Sequence, residues 1–169
     1  MAREIRSRLP AWFLKRASPF FLLLLVACSK VEMGKMKKQT DADVIRIVNR
    51  YKEAGVGEVE GVLNEYLALA DDYEWRGWAR YGAPGWIDEL RSDCEARLAV
   101  FYKAVGKGDA YQRHASLAVA DRKRANPKST STAEDLCDFV ERLDAANIQP
   151  RWRRDVAATK KVSPNGATR

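Results

Sequence analysis

Three cysteines, one histidine and an uneven set of aromatic rings carry most of the chemistry available to this 169-residue chain. His114 is alone, so a first-row metal has almost no imidazole to draw on, and it reads as an exposed or partly buried spectator. There is no Gly-rich phosphate loop, no Gly-x-Ser-x-Gly elbow and no His-Glu-x-x-His pair. Carboxylates are abundant, but Asp71-Asp72 and Asp88-Glu89 are sequence neighbours, which a helix turns about 100° apart. Glu65 and Glu74, close to aromatic residues, are the candidates for the raised-pKa acid of two-carboxylate sugar hydrolysis, and their spacing adds nothing to that idea. The expectation is a protein without catalytic residues, metal or cofactor.

The densest cluster is aromatic. Tyr73, Trp75, Trp78, Tyr81 and Trp86, interleaved with Arg76 and Arg80, gather five of the eleven tyrosines and tryptophans around one turn. Trp, Tyr and Arg dominate the energetic centres of protein interfaces. Trp75, Arg76, Trp78, Arg80, Tyr81 and Trp86 are therefore the candidate partner-binding residues. The alternative is that these rings cap the end of a helical bundle, and the two readings can hold for different rings.

What positions this chemistry begins at the N-terminus. Arg3, Arg6, Arg8, Lys15 and Arg16 stand against Glu4, and Pro19 opens an apolar run over 20–27. That is a positive leader followed by a short hydrophobic stretch, below the roughly 20 residues a membrane span needs. Leu25-Val26-Ala27-Cys28 resembles the lipobox of bacterial lipoprotein precursors. The resemblance implies a signal peptide over 1–27, a diacylglyceryl thioether on Cys28 and, with Ser29 next, an outer-membrane location facing the periplasm. The lipid anchor would make the membrane a partner. Without cleavage, the same run would be an N-terminal anchor or a core helix.

Cleavage would leave 142 residues, enough for one domain. The charge of +7 is sorted by region: the leader holds +4, residues 29–39 hold +3, 40–148 hold −5 and 149–169 hold +5. A mildly acidic body does not suit nucleic acid, which asks for a basic stripe on the folded part. The basic ends suit an anionic surface or a solvated tether. Cys94 and Cys137 remain as a pair that an oxidising compartment could bridge, a closure worth roughly 3–4 kcal/mol. Equally, they could be two buried thiols.

The elements follow from periodicity. Residues 29–39 lack an apolar pattern and read as an extended tether. Thr40-Asp41-Ala42-Asp43 has the form of a capping box, and Val44, Ile47, Val48 and Tyr51 follow at helical spacing until Gly55-Val56-Gly57. A second helix with a wide stripe runs from Val59 to about Tyr81 and reads as central. Gly82-Ala83-Pro84-Gly85 stops it. The third carries Ile87, Leu90, Cys94, Leu98, Phe101 and Val105; the fourth, before Asn126-Pro127, reads as peripheral. Ser131 with Glu134 caps a fifth helix through Leu136, Cys137, Val140 and Leu143. Beyond Pro150 only Trp152 and two valines are large and apolar, so 149–169 reads as a disordered basic tail. The fold class is all-α, a small bundle of about five helices over 40–148. The expected function is a non-enzymatic protein-interaction module of the envelope: an immunity or exclusion factor, or an envelope-complex subunit. The alternatives are a tether binding peptidoglycan, lipopolysaccharide or an anionic membrane through the tail, and a peptidoglycan-active enzyme.

Overall fold

A computed structural model of the chain describes residues 19–80 and 83–162, with side chains over 33–80 and 83–160. The regular structure among the described residues is all helical: α1 (Pro19–Glu53), α2 (Val59–Trp75), a 3-10 turn (Trp78–Arg80), α3 (Trp86–Ala104), α4 (Gly108–Ala125), α5 (Ala133–Asn147) and α6 (Arg151–Val162). There are thus six α-helices among them, not five. None is long and apolar enough to cross a membrane. The chain divides into two compact units, Met1–Thr40 and Asp41–Arg169.

In the first unit, residues 28–39 belong to α1 and are not extended. Lys, Met, Glu and Gln are good helix formers, and propagating an existing helix needs no new nucleus. The Thr40 hydroxyl donates to the Met36 carbonyl at 2.9 Å, as a mid-helix threonine does. The expected capping box at Thr40 therefore has no helix start to cap. Leader residues 1–18 and the side chain of Cys28 lie outside the described residues.

In the second unit the central helix is α3, not α2. Ser92 and every residue from Cys94 to Tyr102 are buried on it. Its apolar stripe forms the core with Ile47 and Tyr51 of α1, Val59, Val62 and Leu63 of α2, and Leu136 and Val140 of α5. Its polar residues are buried because each neighbour supplies a partner: Ser92 Oγ donates to Ala118 O (2.9 Å), Glu95 meets His114 (2.6 Å) and Arg97 meets Asp144 (3.0 Å). Without those partners each group would cost about 1–3 kcal/mol or more. Ala115 and Ala118 let α4 lie close along α3, so α4 is an integral layer and not peripheral.

Two boundaries move for local reasons. α2 ends at Trp75 and not near Tyr81, because Gly77 takes φ +68° and its N–H turns back to Glu74 O at 2.8 Å. α5 is capped by Thr132 with Asp135, one residue later than expected; Asp135 N–H donates to the Thr132 hydroxyl and Thr132 N–H to the Asp135 carboxylate. Gly85 is required where the turn meets α4. At φ +79° an added Cβ would lie 2.5 Å from Ala125 O.

The tail expectation is overturned over 151–162, where α6 forms. Trp152 is the main cause, with Val156 one turn on also packed against the core: Trp152 is 1% exposed, packs edge-on to Phe101 with centroids 5.4 Å apart, and donates its indole N–H to the Tyr51 hydroxyl at 3.3 Å. A buried tryptophan removes about 150–250 Å² from water, worth roughly 5 kcal/mol. Residues 163–169 lie outside the described residues.

Candidate functional site

The aromatic corner is built on a core of its own. Ala70 and Tyr73 of α2 and Ile87 of α3 are buried together, with Leu69, Trp78, Trp86 and Leu90 packed against them. Tyr73 is the hub. Trp78 stacks on it at 5.0 Å and 21°, Trp86 tilts against it at 5.7 Å, and its hydroxyl donates to Asp43 at 3.1 Å. Trp78 and Trp86 therefore cap the bundle, and the Trp86 indole N–H has no partner among the described residues. Arg76 lies 5.2 Å over the Trp78 ring and pairs with Asp72 at 2.7 Å. Arg80 closes the 3-10 turn. Tyr81 lies outside the described residues.

Trp75 stands apart from this stack. It is the last residue of α2 and is 86% exposed. The helix end carrying it is held by Arg91 of α3, which is itself largely buried and reaches Asp71 (2.7 Å), Glu74 (2.5 Å) and Asp88 (3.3 Å). The corner thus pairs a rigid platform with one large ring facing solvent. Helical spacing alone sets Trp75 about 200° from Tyr73, on the opposite side of α2; Arg91 was missed, because an arginine among the acidic and polar residues of 88–93 carries no motif.

Other candidate chemistry is accounted for structurally. The Glu65 carboxylate accepts from Arg46 at 2.5 Å and from Arg50, and the Arg46 bond in particular holds it below the usual range. Glu74 is held by Arg91. The pairing at Glu65 does not favour a protonated general acid. His114 is buried rather than exposed or partly buried: Nδ1 meets Glu95 at 2.6 Å, Nε2 meets Arg113 at 3.2 Å, and Tyr102 stacks on the ring at 5.1 Å. Among the described residues no group of three or more His, Cys, Asp or Glu side chains converges as a metal site. Cys94 and Cys137 are unbridged and buried. Cys94 Sγ is turned to the Leu63 carbonyl of α2 at 3.1 Å, and burial pushes its thiol well above the ordinary range.

The most buried polar group lies elsewhere. Asp144 of α5 is fully buried, accepting from Arg97 Nε at 3.0 Å and from the Tyr51 hydroxyl at 2.9 Å. Trp152 bonds Tyr51 in turn, so four helices meet at one carboxylate. Periodicity could have flagged Arg97, which sits inside an otherwise buried stretch of α3.

The chain matches no family model, and neither a curated protein nor a solved structure matches it.

Proposed function

We propose that the chain is a lipoprotein anchored through Cys28 at the periplasmic face of the outer membrane, working as a non-enzymatic interaction module of an immunity, exclusion or envelope-complex kind. The observation that carries the partner-binding part is Trp75: a ring 86% exposed at the end of a helix pinned to α3 by two ion pairs, Arg91 to Asp71 and Arg91 to Glu74. Rigid aromatic anchors lose little entropy on binding, which is why they concentrate interface energy. The lipobox residues carry the location.

Capture from envelope fractions by the wild-type chain and by Trp75→Ala tests the surface, with thermal unfolding run in parallel. A discrete partner lost in the variant at unchanged stability supports the reading, and an unchanged partner list refutes it. Intact-mass analysis tests the anchor; an unmodified Cys28 thiol refutes that part. The tether reading keeps one supporting feature, the exposed Arg151, Arg154 and Lys160 of α6, although Trp152 commits that helix to the fold.

A further inference from the structure

A partly enclosed cavity of about 210 Å³ opens beside the buried carboxylate, lined by Ile47, Val48, Leu63, Tyr66, Asp93 and Arg97, among others. Its walls combine the aliphatic Ile47, Val48, Leu63, Leu143 and Ile148 with the polar groups of Tyr51, Tyr66, Asp93 and Arg97. Arg97 is only 8% exposed and has two of its nitrogens committed: Nε to Asp144 and Nη1 to the Asp93 carbonyl at 3.3 Å. Its Nη2 has no partner among the described residues, and neither has the Tyr66 hydroxyl. Asp93 Oδ1 is taken by Arg122 at 2.9 Å, while Oδ2 makes no hydrogen bond there. Burial raises the Asp93 carboxyl, and it pushes the Tyr66 hydroxyl up to about 12, so the phenol stays a donor at neutral pH.

We infer that this cavity binds a small neutral molecule with an apolar body and a carboxamide-type head, its carbonyl oxygen accepting from Arg97 and the Tyr66 hydroxyl and its N–H donating to Asp93. Charge selects the class. Asp93 and Asp144 both face Arg97, so a carboxylate ligand would meet two acids, while a cation would meet Arg97 and Arg122. A neutral head with one N–H donor and one carbonyl oxygen, which has two lone pairs, satisfies all three open groups. Size sets the rest: packing densities of about 0.55–0.75 leave room for roughly six to ten non-hydrogen atoms. This inference does not rest on the aromatic corner or on the lipid anchor.

Benzamide, with nine non-hydrogen atoms, is the probe, and benzoate and toluene are the controls. Saturation-transfer NMR on the full chain should give a dissociation constant on the order of 1 mM for benzamide. Both controls should bind about tenfold more weakly, and intermolecular NOEs should reach the Val48 and Leu63 methyls. Val48→Phe, which fills the cavity, should weaken binding at least tenfold; Tyr66→Phe, which keeps the ring, should weaken it several-fold. NOEs in the wild-type chain locate the site even if a variant fails to fold. Absence of binding at 10 mM, NOEs elsewhere, or toluene or benzoate binding as tightly as benzamide would overturn the inference.

Discussion

Trp152 and Trp75 are the same side chain with opposite fates. At the Trp152 end the ring is buried, edge-on to Phe101, with its N–H passed to Tyr51 and through it to Asp144. At the Trp75 end the neighbouring rings and Arg91 are fixed while the indole stands in water. Burying such a ring is worth about 5 kcal/mol of apolar transfer, which one region uses for folding and the other does not use within the described residues. A single exposed apolar residue is ordinary. An exposed tryptophan on an ordered platform is less so, and the pair contrasts a stability end with the end proposed above for recognition.

The contrast breaks most visibly at Asp144. Asp144→Ala leaves Arg97 buried without its carboxylate and removes the Tyr51 acceptor, so a loss of about 3–5 kcal/mol is expected in urea unfolding. Trp152→Ala should follow, at about 3–4 kcal/mol, and should also free α6, read as lost helicity in circular dichroism. Gly85→Ala should cost about 1–3 kcal/mol, since the backbone of Ala125 occupies the space its Cβ needs and φ is positive. A smaller effect tests the buried hydroxyl: Tyr51 titrates far above its ordinary value of 10, chiefly through burial. The unfolded chain therefore loses that proton first, and stability should fall as pH rises past 10, less steeply in Tyr51→Phe. Trp75→Ala should change stability by no more than about 0.5 kcal/mol in the same assays.

Helix positions were legible wherever apolar residues recur at helical spacing, as in Ile87, Cys94, Leu98 and Phe101. Two kinds of feature were not. Residues 29–39 and 151–162 show no clear stripe, yet one is carried by helix propensity and the other chiefly by a single buried ring. The rank of α3 over α2 was hidden because Ser92 and Glu95 look like a solvent face until Ala118 and His114 arrive from α4. Long-range partners of this kind have no local signature. At the corner, the aromatic cluster was visible by composition and the outward turn of Trp75 by its place two residues, about 200° of helix, beyond Tyr73 on the core stripe, whereas the clamp by Arg91 needed the third dimension.

The separation of the two ends is tested most directly by placing a photo-crosslinking phenylalanine at position 75, and separately at the exposed position 139 of α5, in cells that make the chain. A discrete adduct from position 75 and none from position 139 is the expected result. No adduct at 75, or the same adducts from both positions, would contradict a recognition surface centred on that tryptophan.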